Sequence, residues 1–378
     1  MSWTWLEVDC EALEANSRAL RAHLPRETLF APTVKSEGYG HGLLIAARAF
    51  LKGGADWLCV HSLHEATTLR AAGITAPLYL FGPVGVWELE QLLSLEVRFV
   101  LYDRTLLERL ESLSRPARLH IKLETGNNRQ GIDPREALEL ARRIQRHPTL
   151  TLEGICSHYA NVEDTTDHHY ARLQLERLLR FRAQLDAERI YPSMWHIANS
   201  AASILWPSQA LSMARVGISA YGLWPSPETH GVARALSMGL TLRPGLRWCA
   251  QIAQLKSIGE GEPVGYGCTW RSPRPARIAV IPVGYAEGYP RSLSNLSYML
   301  IRGRRAPVRG RVCMNLSMVE VTDIPEVTLE DEVVLLGDQG EERLSAEQLA
   351  AWANTISYEI VARLSPRLER RPSARSSL

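Results

Sequence analysis

Short apolar runs, each followed by a segment with helical spacing of its apolar residues, recur along the first 230 or so residues of the chain. Phe30 to Lys35 precedes Leu43 to Leu51, and Trp57 to Val60 precedes Ser62 to Ala72, where Ser62 and Glu65 have the spacing of a capping box. Leu78 to Phe81 leads into Val86 to Leu93, Arg98 to Leu101 into Thr105 to Leu113, and Leu119 to Leu123 into Pro134 to Gln145. Leu152 to Cys156 leads into a long helix from about Asp167 to Leu185, Met194 to Ile197 into a helix through Ala201, and Ala214 to Gly217 closes the set. Short apolar strands that alternate with helices pair in parallel through right-handed crossovers, and eight such units imply a closed (β/α)8 barrel.

The pattern changes after about Gly239. Leu246 to Ser257, Arg277 to Val283, Tyr298 to Ile301, Val308 to Val312, Ser317 to Val321 and Glu332 to Leu336 read as strands separated by Gly/Pro turns. That predicts a mostly antiparallel β domain. One late helix, Ser345 to Ala353, precedes a strand-like end from Ile356 to Arg363. The expected organisation is a barrel over residues 1–238, a β domain over 239–368 and a disordered, polar, basic tail over 369–378. Residues 2–9 alternate loosely and are a candidate strand for packing with the C-terminal domain.

Composition narrows the function classes. The 43 basic residues nearly cancel the 41 acidic ones, so there is no electrostatic basis for a nucleic-acid or membrane-surface partner. No apolar run approaches the roughly 20 residues of a spanning helix. Met1 to Glu7 lacks a basic region followed by an apolar core, so no secretory signal is expected. The six cysteines are scattered without a Cys-x-x-Cys pair, which favours free thiols over a disulfide framework or a zinc site. A soluble cytoplasmic protein is the expectation.

Candidate chemistry converges on the ends of the barrel strands, where this fold keeps its active sites. Lys35 ends the first barrel strand and precedes a glycine-studded turn. A lysine partly desolvated there favours its neutral amine, the form that makes a Schiff base with an aldehyde cofactor. Lys122 and Arg129 flank the turn after the fifth unit, His158 follows Cys156-Ser157, and His196 and Asn199-Ser200-Ala201-Ala202 end the next strand. Arg215 closes the last strand and needs an acceptor so close to the core. Ser200 and the backbone N–H groups of Gly217 and Ile218 suit a phosphate, which late barrel strands commonly bind.

Each residue has a structural alternative: a satisfied histidine at 158, an N-cap at Asn199, an ordinary interface phenol at Tyr266. His168 and His169 sit on the opening turn of a helix and cannot easily converge with His158, so no metal site is expected. The glycines at 38, 40 and 42 do not match a dinucleotide fingerprint.

Taken together, the motifs resemble the alanine racemase family of barrel-type enzymes dependent on pyridoxal 5'-phosphate. Val34-Lys35-Ser36-Glu37-Gly38-Tyr39-Gly40-His41-Gly42 resembles that family's lysine signature. Lys122 to Arg129, Asn199 to Ala202, Arg215 to Ile218, Tyr266-Gly267, Gly284 to Ser292, Gly310 to Met314 and Ile356 to Glu359 are similar to its other blocks, in order and at its spacing. The resemblance implies that Lys35 carries the cofactor and is the base on one face of the substrate Cα, with Tyr266 of the partner subunit acting on the other. It implies that Tyr39, Ser200, Gly217, Ile218 and Tyr358 hold the phosphate. Arg215 would bond the pyridine nitrogen with support from His158, and Arg129 would contact the cofactor's phenolic oxygen. Met314 of the partner subunit would bind the substrate carboxylate with Arg129, and Tyr285 and Arg311 would line the corridor into the site. Lys122 matches a lysine that is carbamylated in some members.

The implied activity is interconversion of L- and D-alanine by a head-to-tail homodimer with shared sites, supplying D-alanine for peptidoglycan. Inverting Cα requires a proton removed from one face and another delivered to the opposite face, which is the role of two flanking acid–base groups. Three departures bear on substrate preference. Ser36-Glu37-Gly38 replaces the usual Ala-Asn-Ala, Asn127-Asn128 replaces Met-Gly, and Asn315 stands where many members carry Asp. The rival readings are a racemase of serine or of broader range, a related decarboxylase, and a non-catalytic protein that binds the cofactor. Arg215 argues against the decarboxylase, and the β domain with its tyrosine argues against the last.

Overall fold

The computed structural model describes residues 2–373. The chain divides into two compact units: Glu11–Gly38 with Ala46–Pro244, and the described parts of Met1–Cys10, Tyr39–Ile45 and Gly245–Leu378.

The first strand, β1 (Thr4–Asp9), belongs to the second unit; the barrel begins with β2 (Leu29–Phe30). It continues with β3 (Leu58–Val60), β4 (Leu78–Leu80), β5 (Arg98–Leu101), β6 (Ala117–Lys122), β7 (Leu150–Cys156), β8 (Met194–His196) and β9 (Met213–Ala214). Strands β3 to β8 form one parallel sheet in chain order, and β2 pairs in parallel with β9. The two groups are joined on both sides. Val34 N–H donates to Cys59 O at 2.9 Å next to a parallel bridge from Thr33 to Cys59, and Ser212 N–H donates to Trp195 O at 2.9 Å. The eight strands therefore close a ring around Ala31, Trp57, Cys59, Tyr79, Val100, Cys156, Met194 and Met213.

The helices follow from local spacing and caps. Pro134–Arg146 starts with Pro at its first position behind the N-cap Asp133, whose carboxylate accepts from Arg135 and Glu136 N–H. It buries Ala137, Leu140, Ala141 and Ile144, one stripe at helical spacing. Leu63–Ala71 carries the expected reciprocal cap between Ser62 and Glu65. Among the described residues no helix is long and apolar enough to cross a membrane.

In the second unit the strands are β10 (Leu246–Gln251), β11 (Gln254–Ile258), β12 (Ala276–Ile281), β13 (Tyr298–Ile301), β14 (Arg304–Pro307), β15 (Ser317–Glu320), β16 (Glu332–Gln339), β17 (Glu342–Leu344) and β18 (Glu369–Ser373). One sheet has the order β14-β13-β16-β10-β1-β18 with β17 on β16, and a smaller antiparallel sheet has the order β11-β12-β15. Strand β1 lies antiparallel to β10, with Leu6 opposite Trp248.

Four expectations fail here. Val308 to Val312, expected as a strand, is irregular: β14 ends at Pro307, and only Val308 makes an isolated antiparallel bridge, to Val319. The unit boundary falls at Pro244 and Gly245 rather than at 238 and 239. The strand expected from Ile356 is the helix Ser357–Ala362: Ile360, Val361 and Leu364 are buried while Ile356 is exposed, so the helical stripe overrides the alternation of Ile356, Tyr358 and Ile360. The tail expected to be disordered forms β18 over 369–373, parallel to β1, with the Arg371 guanidinium 4.6 Å from the Trp5 ring centroid. Backbone pairing and this stacking order a segment whose composition reads as solvated; residues 374–378 lie outside the described ones.

Candidate functional site

At the mouth of the barrel, Lys35 follows β2 and opens a turn in which Ser36, Glu37 and Gly38 all take left-handed backbone angles, φ 54, 53 and 56°. A side chain in that conformation costs about 1–2 kcal/mol, so two consecutive non-glycine residues there store strain that surrounding bonds must offset. Gly38 N–H donates to Val34 O at 3.0 Å, and Ser36 N–H donates to Glu65 Oε1 at 2.9 Å. The Lys35 side chain is half-buried, with Nζ 5.4 Å from the Phe81 ring centroid. Burial, and then the Arg129 guanidinium, hold its pKa below the usual lysine range, while Glu65 opposes them. The neutral amine is thereby favoured.

Arg215 follows β9 and is 8% exposed. It donates through Nη1 to His196 Nδ1, and through Nη2 to Ser157 O at 2.8 Å and His158 Nδ1 at 3.3 Å. Because His196 Nδ1 accepts, its Nε2 carries the proton and donates to His120 Nδ1 at 2.8 Å. His120 Nε2 then donates to Glu153 Oε2 at 3.1 Å. A one-way relay thus runs through the barrel from a guanidinium to a carboxylate, and Glu153 also accepts from Arg98 at 3.2 Å. Burial drives the pKa of both His120 and His196 down, and that of His196 well down, as a relay of neutral imidazoles requires. Burial pushes Glu153 up, but hydrogen bonds from His120 and Arg98 prevail and hold it below the ordinary carboxylate range. Burial, followed by the cations Lys122, Arg215, Arg129 and Lys35, holds His158 neutral as well.

Space for the relay comes from Gly154 on β7, where a Cβ would lie 2.5 Å from His120 Nδ1. Lys122, at the end of β6, is buried, and its pKa is pushed down to about 8 by burial, with Arg215 and Arg129 adding to the effect against Cys156. The following loop is organised by Glu124. Its carboxylate accepts from Gly126 N–H, from Asn127 N–H at 2.7 Å and from Asn128 N–H at 2.8 Å, and the loop presents Arg129 exposed. Across the mouth, Asn199 caps the helix Ser200–Leu205, and Ser200 Oγ accepts from Gly217 N–H at 2.9 Å. Ile218 opens the short 3-10 turn Ile218–Tyr221. The barrel therefore gathers Lys35, Lys122, Arg129, His158, Ser200, Arg215, Gly217 and Ile218 at strand ends.

The remaining predicted residues lie in the second unit. Tyr39 and Tyr358 have ring centroids 6.4 Å apart. Tyr266 is 72% exposed, in a turn between Gly265 and Gly267, both at positive φ (72 and 74°). The Arg311 guanidinium packs so close that a Cβ on Gly267 would lie 3.1 Å from it. Tyr285 and Met314 are brought together by Tyr285 N–H donating to Cys313 O at 3.1 Å and Ala286 N–H to Met314 O at 2.9 Å.

The sequence pattern places His196 at a strand end without a role and does not single out His120 or Glu153. The available signal was that His120 and Lys122 share one face of a strand otherwise apolar inside the barrel. Its spacing from Ser62 marks Glu65 only as a helix cap.

The donor set at the barrel mouth fits a phosphorylated aldehyde: an amine poised toward neutrality, a buried guanidinium with neutral partners, and a serine hydroxyl beside backbone N–H groups at helical N-termini. Barrel, lysine and arginine define a (β/α)8 protein with an amine and a buried guanidinium at the barrel mouth and a second, β domain. Residues 8–225 match the family model "Alanine racemase, N-terminal domain" and residues 246–372 match "Alanine racemase, C-terminal domain". The chain belongs to the alanine racemase family. Relatives named alanine racemase include those of Symbiobacterium thermophilum, 43% identical with 97% of this chain and 96% of that protein covered, and Syntrophobacter fumaroxidans, 41% identical with 95% of each covered. The crystal structure of alanine racemase from D-cycloserine-producing Streptomyces lavendulae superposes with a TM-score of 0.91 at 31% identity, covering 100% of this chain and 98% of that one. The Bacillus anthracis alanine racemase with bound L-Ala-P gives 0.91 at 31% identity, covering 98% and 95%.

Proposed function

We propose that this chain is a pyridoxal 5'-phosphate-dependent racemase that interconverts L- and D-alanine in the cytoplasm, as a homodimer supplying D-alanine for peptidoglycan. The observation that carries the reading is the pairing, at one barrel mouth, of the neutral-leaning Lys35 amine with Arg215, a buried guanidinium whose hydrogen-bond partners are all neutral.

When bound, the cofactor supplies the electron sink that acidifies the Cα–H bond of an amino acid. Lys35 Nζ takes or delivers a proton on one face of Cα, and the partner subunit's Tyr266 correspondingly delivers or takes a different proton on the other face through its phenol oxygen. The exposure of Tyr266 in its own chain supports a role in a neighbouring site. Arg215 donates a hydrogen bond to the ring nitrogen without giving up its proton, because a guanidinium is a very weak acid. His158 and the His196 relay fix its orientation. Ser200 Oγ and the Gly217 and Ile218 N–H groups take the phosphate, with Tyr39 and Tyr358 as further phosphate contacts. Arg129 contacts the cofactor's phenolic oxygen and, with Met314 of the partner subunit, the substrate carboxylate. Tyr285 and Arg311 line the corridor.

Purified protein with the cofactor, incubated with L-alanine and with L-serine and followed by chiral chromatography, tests the activity and separates alanine from serine specificity. Tyr266→Phe tests the mechanism: solvent-proton exchange at Cα should be abolished from one enantiomer far more than from the other. Equal loss from both enantiomers would refute the two-base assignment.

A further inference from the structure

The turn after Lys35 is held by a side chain from another part of the barrel. Glu65 lies on the helix after β3, and its two oxygens divide their work. Oε1 accepts from Ser36 N–H at 2.9 Å, while Oε2 accepts from His61 N–H at 2.7 Å and Ser62 N–H at 3.3 Å. Closing the cap of its own helix requires only the second oxygen. The first is spent on the first residue of the left-handed turn, one peptide beyond Lys35.

We propose that Glu65 is the positioning residue for Lys35: it clamps the strained turn that aims the amine and supplies the carboxylate that balances the cations around it. The charged and titratable groups around the amine are Arg129 from the loop after β6, His61 from the loop after β3, His158 from the end of β7, and Glu65 itself. Three of these are cations or neutral rings; Glu65 is the carboxylate of the set. Its charge favours the ammonium form of Lys35, so its removal leaves a larger fraction of neutral amine at a given pH. The inference rests on Lys35 being the reactive amine of the proposed function, but amine reactivity is measured without turnover.

The test uses cofactor-free full-length protein and an uncharged amine reagent, acetic anhydride at limiting dose, with Lys35 acylation followed by peptide mass spectrometry across pH. Glu65→Gln should acylate Lys35 about threefold faster near pH 7, the size of one partly screened charge interaction, with the pH profile displaced downward. Exposed Lys256 should not change. Ser62→Ala removes the cap bond from Glu65 N–H at 3.2 Å and leaves the carboxylate, so it should lower thermal stability and leave the Lys35 profile in place. Glu65→Asp keeps the charge but falls short of Ser36, so amide exchange at Ser36 should accelerate about tenfold or more while Lys35 reacts at nearly its normal rate.

A Glu65→Gln protein with lowered stability and an unmoved Lys35 profile would reduce Glu65 to a helix cap and overturn the proposal. If the Gln variant does not fold, unchanged Ser36 exchange in Glu65→Asp overturns it equally. Neither result bears on whether the holoenzyme racemises alanine, which the chiral assay decides alone.

Discussion

Lys122 offers the sharpest energetic test of the barrel interior. It is 8% exposed, and its pKa falls from the ordinary 10.5 to about 8, chiefly through burial. That difference corresponds to about 3.4 kcal/mol at about 1.36 kcal/mol per pH unit, an upper bound because local relaxation admits water. The sign follows from proton binding. Below about pH 8 the lysine is charged in both folded and unfolded chains, and the folded state bears the full cost. Between about 8 and 10.5 the unfolded chain holds the proton and the folded one does not, so stability rises with pH, at most by about 1.4 kcal/mol per unit. Lys122→Met, which keeps the length and removes the charge, should therefore be about 2–3 kcal/mol more stable than the wild type at pH 7. The advantage should fade toward pH 10.5. Urea midpoints of the cofactor-free protein in carbon-dioxide-depleted buffers from pH 7 to 10.5 measure the difference. Bicarbonate near pH 8 should stabilise the wild type alone if the amine is carbamylated, since the carbamate turns a cation among Arg129 and Arg215 into their counter-ion. A wild-type-minus-variant difference that stays flat across this range without carbon dioxide, or a Met variant that is less stable at pH 7, would refute the reasoning.

Two further substitutions probe the relay behind Arg215. Glu153→Gln keeps an acceptor for His120 but loses the charge, and should destabilise the protein by about 1–3 kcal/mol at pH 7. Because the folded pKa of Glu153 is depressed, that cost should shrink as pH falls below about 4.5 and the carboxylate protonates, as urea midpoints at pH 7 and pH 4 will show. Gly154→Ala places a methyl group 2.5 Å from His120 Nδ1 and should cost about 1–3 kcal/mol in thermal or urea unfolding; an unchanged midpoint would show that His120 has room to move.

Much of the site was legible because barrel strands announce themselves. A residue that ends an apolar run, such as Lys35 or Arg215, sits at the mouth whatever the packing outside. Caps are equally local: Ser62 with Glu65, and Asn199 before Ser200, act within a few residues of themselves. The apolar residues of Ile356 to Arg363 satisfy two periods at once, and only burial of Ile360, Val361 and Leu364 chooses the helix. Strand β18 was invisible because its order comes from pairing with β1, more than 360 residues earlier.

The sequence by itself determined the eight-unit alternation, the switch to turn-separated strands and the residue types that stand at the strand ends, since each depends on periodicity or residue type over a short window. Tertiary structure alone decided how those groups are held. The bond from Ser36 N–H to Glu65 and the line from Arg215 through His196 and His120 to Glu153 join residues 19 to 76 positions apart. No local pattern encodes which buried donor meets which acceptor; closing the barrel brings them within reach, and removal from water makes each bond obligatory.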